Sequence, residues 1–117
     1  MSIRDESAAG QSWLVVVSGR LDQSQDHLLE KELQRLLDQG HHQLIIDLSR
    51  VTYVNSGGLR CLVTIWRQAR QIGGNVALCG LDDSIARVFT IAGFDKIFVI
   101  YANQSDAERG LASNSAG

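Results

Sequence analysis

The stretch from Leu44 to Ile72 constrains the fold of this chain more than any other. It begins with a short apolar run rich in β-branched residues, 44–48, which predicts a buried β-strand. It ends with apolar residues at helical spacing, which predict an amphipathic α-helix up to Ile72. The small residues Asn55-Ser56-Gly57-Gly58 open that helix. Because the first N–H groups of a helix lack an intrahelical partner and its dipole is positive there, such an end attracts an anion. We therefore expect any functional centre to lie here.

Strands and helices alternate along the rest of the chain. Short apolar runs predict the strands, and apolar residues at helical spacing between capping residues and glycines predict the helices. This alternation is typical of one α/β domain with a mixed or largely parallel sheet covered by helices. The predicted strands are residues 13–17, 44–48, 75–79 and 96–101, and the predicted helices are residues 23–39, 55–72, 82–93 and 103–111.

Two of these helices have recognisable ends. Asp22, with Gln25 three residues later, is a candidate capping box for the first helix, and Gly40 is suited to end it. Gly93 is suited to end the third helix. That helix has candidate caps at Asp82, Asp83 and Ser84, and the predicted apolar residues are Leu28, Leu29, Leu33, Leu36 and Leu37 in the first helix and Ile85, Val88, Phe89 and Ile91 in the third.

The length of the chain limits its domain organisation. Its 117 residues suffice for one ordinary domain, which we place at residues 12–112. The polar residues 1–11 predict either a frayed terminus or an edge strand. Residues 113–117 are small and polar and predict a mobile tail.

Composition excludes several classes of protein. The formal net charge of −2 gives no bulk attraction to nucleic acid or to an anionic membrane. No apolar run approaches the length of a membrane span, and the start of the chain is not a signal peptide. Cys61 and Cys79 lie in predicted buried elements, so we interpret them as reduced core thiols of a cytoplasmic protein.

The residues around the start of the central helix have structural and functional interpretations. Ser56 can cap this helix by accepting the N–H of Gly58 or Leu59, or it can be a regulated hydroxyl. Asp22 can cap the preceding helix or border the same loop. The central helix also carries a polar stripe that is either a solvated face or a partner-docking face, and Trp66 is either core or a partly exposed interface anchor. The stripe consists of Arg60, Thr64, Arg67 and Gln71.

The sequence gives no support for a metal site, a cofactor or catalysis. His41 and His42 are adjacent and cannot share a helical face, and His27 has no ligand partner four residues away. A serine at a strand-to-helix turn could be a hydrolase nucleophile, but that motif needs glycine two residues before Ser56, where this chain has Val54. The glycine-rich turn also lacks the lysine of a P-loop. We therefore expect a protein that is not an enzyme.

Five short motifs resemble those of STAS domains, the family of bacterial anti-sigma factor antagonists. The resemblance covers roughly residues 13–111 and implies a small mixed sheet with helices packed mainly on one side. Each motif is weakly specific, and their order and spacing make the resemblance strong. The motifs are Gly19-x-Leu21-Asp22, Asp47-Leu48-Ser49-x-Val51, Asn55-Ser56-Gly57-Gly58-Leu59, Val88-Phe89 with Gly93-Phe94, and Lys96-Ile97-Phe98.

The resemblance implies a function in partner switching. In that family the unphosphorylated antagonist binds an anti-sigma factor, usually a serine kinase of the histidine-kinase-like (GHKL) type, and so releases a sigma factor. Phosphorylation by the kinase ends the binding, and a PP2C-type phosphatase restores it. By this resemblance the switch loop and partner-binding residues are Asp22, Asn55, Ser56, Gly57, Gly58, Leu59, Arg60, Thr64 and Arg67.

The chain departs from the family at the switch itself. The resemblance places the phosphoacceptor directly before Gly58-Leu59, where this chain has Gly57, which has no hydroxyl. The acidic residue of the family motif is replaced by Asn55. Ser56 is then the remaining candidate acceptor, and the alternatives are constitutive binding and regulation by abundance. On this interpretation, a Gly57→Ser substitution would create or restore phosphorylation by a cognate kinase.

A second function is open on the same resemblance. STAS domains also serve as adaptor subunits of membrane transport systems, such as bacterial lipid-transport ABC complexes. There the same surface would hold an ATPase subunit without any phosphorylation.

Overall fold

The computed structural model describes residues 2–22 and 26–115. Within them, five strands form one sheet in the order β1-β2-β3-β4-β5. β1 pairs antiparallel with β2, and the other neighbours pair parallel, so the predicted mixed sheet is confirmed. The strands are β1 (Ser2–Ser7), β2 (Trp13–Leu21), β3 (Gln43–Val54), β4 (Asn75–Cys79) and β5 (Val99–Tyr101), and the helices are α1 (Asp26–Asp38), α2 (Ser56–Gln71), α3 (Asp83–Ile91) and α4 (Gln104–Ser115).

The sheet separates two apolar cores of unequal size. Alternate residues of a strand point to opposite faces, so a continuous apolar strand such as β2 supplies both cores. Val15 and Val17 face the larger core with α1, α2 and α3. Leu14 and Val16 face the smaller core, where Ala107 of α4 packs. The helices therefore lie mainly on one side of the sheet, as predicted.

Two central strands are longer than the sequence predicted. We predicted that β2 would end at Val17 and β3 at Leu48, but the two strands stay paired as far as Leu21 and Val54. The register shifts twice along this extension, between Val16 and Ser18 and between Gly19 and Arg20. The sequence there therefore lacks the regular alternation of buried and exposed residues that indicates a strand. The reason for the length is burial, because Val51 and Val54 still point into the larger core.

The last strand is shorter than predicted. We placed its start at Lys96, but residues 94–96 form a 3₁₀ turn and β5 begins only at Val99. Gly93 allows this turn, because its φ of +79° is a conformation that other residues rarely adopt. The turn brings Phe98 into the core, where its ring meets Trp66 edge-on at a centroid distance of 6.3 Å.

Two predicted core residues point to solvent. Leu28 in α1 is 46% exposed and Ile91 at the end of α3 is 80% exposed, so both assignments to an apolar face were wrong. Ile91 is the last residue of α3, just before the chain turns at Gly93. It does not pack against the larger core. The other predicted apolar residues of α1 are buried: Leu29, Leu33, Leu36 and Leu37.

The predicted helix ends fall partly within the described residues. α1 ends as expected at Gly40, where the N–H of His41 donates to the carbonyl of Leu36 at 2.9 Å. The predicted capping box of Asp22 with Gln25 involves residues 23–25, which lie outside the described residues. α4 continues to Ser115, so most of the predicted tail at 113–117 has helical backbone, and residues 116–117 lie outside the described residues. The search of the described residues finds no helix with the length and apolarity that a membrane crossing requires.

Candidate functional site

The start of α2 is capped by Asn55. This residue is extended, with φ −128° and ψ −174°, and its side chain accepts hydrogen bonds from two backbone N–H groups. The donors are Gly57 at 3.1 Å and Gly58 at 3.3 Å. Ser56 is the first residue of the helix and not its cap, so our structural interpretation of Ser56 was wrong. Both Asn and Ser are good caps, and the extension of β3 to Val54 places Asn55 at the capping position.

A close approach between two segments fixes the position of this helix start. The N–H of Asn55 donates to the carbonyl of Leu21 at 3.3 Å. A Cβ added to Gly58 would collide with that carbonyl oxygen and lie 2.7 Å from Cγ of Leu21. Only glycine fits here, because a backbone carbonyl held in the sheet cannot move aside. The end of β2 and the first turn of α2 are therefore locked together.

Ser56 is the accessible hydroxyl of this turn. Its side chain is exposed, whereas Gly57 and Gly58 are buried. Its hydroxyl forms no hydrogen bond with another described residue. The neighbouring amides of Gly57 and Gly58 are already bound by Asn55. The side chain of Ser56 can therefore meet another molecule without breaking a contact within the described residues.

Asp22 lies beside this turn, at the end of β2. Arg20 forms an ion pair with it, with Nε and Oδ2 3.4 Å apart. The guanidinium of Arg20 also lies 4.2 Å from the ring centroid of Tyr53, which is 38% exposed. Sequence reasoning missed Tyr53, because it ended β3 at Leu48. If the alternation of buried and exposed residues in β3 had been continued to Val54, it would have placed Tyr53 at an exposed position next to the switch loop.

Asp47 has a structural role at the same end of the sheet. Its Oδ1 accepts the N–H of Ser49 at 2.9 Å, where β3 begins its irregular section. The carboxylate also lies against Gly80, where an added Cβ would be 2.6 Å from Oδ1. Burial, and to a lesser extent the charge of Asp47, raises the pKa of the Cys79 thiol to about 12. Cys79 and Cys61 are both buried, as predicted, and neither forms a disulfide within the described residues.

The exposed face of α2 carries the predicted polar stripe. Arg60, Arg67 and Gln71 are exposed, and Thr64 is half-buried with its hydroxyl donating to the carbonyl of Arg60 at 3.0 Å. Leu59 is only 3% exposed, so within the predicted site it belongs to the core. Trp66 is half-buried and its ring packs against Phe98, so it is mainly a core residue.

The histidines have structural contacts. His41 stacks on Trp13 with ring centroids 3.9 Å apart, and the Nδ1 atom of His42 lies 3.0 Å from the carbonyl oxygen of Gly40. Among the described residues, no group of three or more His, Cys, Asp or Glu side chains is arranged to hold a metal ion.

The turn at Ser56 presents an exposed hydroxyl and a capped helix end, next to an arginine-bearing face of α2. This combination is suited to binding another protein.

Comparison with known families identifies the fold. Residues 8–107 match the family model described as STAS domain. The chain belongs to the STAS domain family. BtrV of Bordetella bronchiseptica, a candidate anti-sigma factor antagonist, is 34% identical to this STAS domain over 94 residues, which are 80% of each protein.

Solved structures share the same architecture. A candidate anti-sigma factor antagonist from Thermotoga maritima superposes with a TM-score of 0.87 over 94% of each chain, at 22% sequence identity. The murine anion transporter Slc26a9 contains a similar region, with a TM-score of 0.76, 16% identity and coverage of 92% of this STAS domain but 19% of the transporter. At these identities the superpositions show a common fold. The predicted STAS fold with a small mixed sheet is confirmed.

Proposed function

We propose that this STAS domain is a cytoplasmic anti-sigma factor antagonist that acts by binding a partner protein and not by catalysis. Its similarity to BtrV over most of both chains supports this function. The observation that carries the proposal is the exposed Ser56 at the head of the exposed α2 face, beside the locked contact of Gly58 with Leu21. The fold thus presents a hydroxyl that can be modified next to the exposed polar face of α2.

Ser56 is the phosphoacceptor in this proposal. Position 57 has no hydroxyl and is buried, whereas Ser56 is exposed and its hydroxyl is not bound to another described residue. A phosphate would add about −1.5 to −2 charge at the positive end of α2, which the fold tolerates. The same charge would stand in the contact surface and weaken the complex. The modification therefore changes binding without unfolding the domain.

The proposed partners follow from this mechanism. The first is an anti-sigma factor, of the GHKL-type serine kinase class, which the unphosphorylated protein binds and sequesters from its sigma factor. The second is a PP2C-type phosphatase that removes the phosphate from Ser56. The proposed docking residues are Arg60, Thr64 and Arg67, and the proposed switch loop consists of Asp22, Asn55, Ser56, Gly57, Gly58 and the buried Leu59.

A tagged pull-down from the native cell tests this function, with bound proteins identified by mass spectrometry. We expect the wild type and Ser56→Ala to recover a GHKL-type kinase and Ser56→Glu to recover much less of it. A Thr90→Glu variant adds the same charge at an exposed position on α3 and serves as the control. Recovery of a transporter ATPase with its permease, in place of the kinase, would contradict the proposal and favour the transport adaptor.

The acceptor position is tested with the recovered kinase. Phosphorylation of the wild type and its loss in Ser56→Ala would support Ser56. A Gly57→Ser variant in the Ser56→Ala background tests the prediction that a hydroxyl at position 57 creates or restores phosphorylation. Phosphate transfer to that variant, with none to the wild type, would overturn the assignment to Ser56.

A further inference from the structure

The acidic residues of this chain are distributed unevenly around α2. After Asp47 the next carboxylate in the sequence is Asp82. The stretch between them contains the end of β3 and all of α2 and β4. All 13 acidic residues of the chain lie outside it. The stretch contains no lysine, and its charged residues are Arg50, Arg60, Arg67 and Arg70.

These four arginines are exposed and lack ion-pair partners among the described residues. Most arginines elsewhere in the chain do have such partners, each a carboxylate on a nearby residue. The pairs are Arg4 with Glu6, Arg20 with Asp22, Arg35 with Asp5 and Glu32, and Arg109 with Asp106. The positive charge of α2 is thus left uncompensated on a chain whose net charge is −2.

Helix stability does not explain this distribution. Acidic residues in the first turn of a helix are stabilising, because they complement its dipole, yet the first turn of α2 has none. Arg70 in the last turn fits the dipole, but Arg60 lies one turn after Ser56, near the positive end. Arg60 and Arg67 are seven residues apart and therefore lie on one side of the helix. Their placement favours a role outside the fold.

We propose that the α2 cationic face, which consists of Arg60, Thr64, Arg67 and Arg70, docks an acidic surface of the partner protein. The identity of that partner as an anti-sigma factor rests on the function proposed above. Opposite charges across an interface direct encounter and fix the docking register. Three exposed arginines without internal partners supply one half of such an interface, so the other half carries Asp and Glu side chains.

The acidic partner is a protein and not a nucleic acid. Nucleic-acid-binding domains usually combine a basic patch with a strongly basic overall charge. Here the whole chain is acidic, with an isoelectric point of about 5.8. The arginines of this face all lie on one helix, with the uncharged Thr64 among them. A cationic stripe along a single helix fits an acidic helix or loop.

The position of Ser56 connects this face to regulation. A phosphate on Ser56 would stand four residues before Arg60, which is the spacing at which side chains on a helix meet. The amides of Gly57 and Gly58 are bound by Asn55, and the guanidinium of Arg60 is a charged donor that could bind the phosphate. Phosphorylation would then both add negative charge and remove Arg60 from the docking face.

An NMR titration with defined probes tests the docking face independently of the partner's identity. The probes are an amphipathic peptide with glutamates along one face, the same peptide with glutamine at those positions, a short DNA duplex, and anionic phosphatidylglycerol vesicles. We expect the glutamate peptide to shift the amide signals of residues 56–71 at about 0.05 M salt and not at about 0.5 M. Shifts centred on α4, or equal effects of the glutamine peptide, would overturn the proposal. Tighter binding of DNA or vesicles than of the peptide would replace the protein partner by that ligand.

Charge-reversal variants extend the test to the kinase recovered by pull-down. Arg60→Glu/Arg67→Glu should weaken binding about tenfold or more, and Arg4→Glu/Arg109→Glu, with the same change in net charge, should weaken it less than about twofold. Equal affinities of the two double variants would overturn the acidic docking surface and leave the antagonist function intact. Peptide binding without any captured kinase would instead support the cationic face and contradict the proposed function.

Discussion

Helices α2 and α4, which lie on opposite sides of the sheet, differ in whether their charged side chains have partners. On the α4 side, Arg109 pairs with Asp106, and the carboxylate of Glu108 accepts the N–H of Ala9 at 2.6 Å. On the α2 side, Arg60 and Arg67 have no ion-pair partner among the described residues. Polar groups that the fold itself satisfies add to its stability, whereas unpaired charges on a rigid helix remain available to another molecule. The difference indicates that the polar groups of α4 stabilise the fold, whereas the arginines of α2 are available to bind another molecule.

The largest expected effect comes from the glycines of these two helices. A Cβ at Gly58 would meet the backbone carbonyl of Leu21, while a Cβ at Gly110 in α4 would meet the end of the Tyr101 side chain. A tyrosine side chain can swing outward, and the carbonyl in the sheet cannot. We expect Gly58→Ala to lower the free energy of unfolding by about 3 kcal/mol and Gly110→Ala by less than about 1 kcal/mol. Chemical denaturation of both variants measures the difference.

Gly73→Ala serves as the control for these variants. Gly73 has φ +83° and open space around it, so alanine there costs only backbone strain of about 1 kcal/mol. A Gly58→Ala protein no less stable than Gly73→Ala would contradict the rigid contact between α2 and β2.

The asparagine caps provide the next comparison. Asn55 binds two N–H groups at the start of α2, and Asn103 binds that of Asp106 at the start of α4 at 2.9 Å. We expect Asn55→Ala to cost about 1.5 kcal/mol and Asn103→Ala about half of that, because fewer amides lose a partner. Thermal unfolding with circular dichroism measures both. Asn55→Asp should retain the stability, since a carboxylate caps the helix and suits its dipole. Equal losses of stability in the two alanine variants would indicate that Asn55 stabilises the start of α2 no more than Asn103 stabilises the start of α4.

The α4 side also contains the thiol that responds to pH. Burial raises the pKa of Cys79 to about 12, above the ordinary value of 9.0. Below pH 9 the thiol is protonated in both folded and unfolded chains and pH has no effect through it. As pH rises from 9 towards 12, only the unfolded chain loses this proton, so stability falls. We expect about 1 kcal/mol of loss between pH 8 and pH 10 that is absent in Cys79→Ala. Parallel pH curves for the two proteins, measured by denaturant unfolding, would contradict this.

The smallest effect on stability is expected at Ser56. Its exposed side chain is not bound to another described residue, so Ser56→Ala should change the free energy of unfolding by less than about 0.5 kcal/mol. The same variant should be insensitive to the kinase. A large loss of stability would mean that Ser56 supports the fold, and the contrast between α2 and α4 would then be weaker.

The sequence predicted the order of elements because most of them are locally encoded. The strand at 75–79 and the end of α1 at Gly40 follow from apolar runs and a glycine, and the structure has both. The length of β3 could not be predicted, because residues up to Val54 stay in the sheet by pairing with β2 through two register shifts. That same error placed the cap on Ser56 and hid Tyr53. The sequence distinguished the polar stripe of α2 from the buried residues of the same helix. It could not show which charged side chains form ion pairs, because some of those pairs join segments that are distant in the sequence.

In-cell photocrosslinking tests the central claim most directly. A photoreactive phenylalanine derivative replaces Thr64 on α2 in one strain and Arg109 on α4 in the other, and crosslinked proteins are identified by mass spectrometry. We predict that the α2 position crosslinks to a GHKL-type anti-sigma factor and the α4 position does not. Crosslinking of that partner through α4 alone, or equally through both positions, would contradict the account.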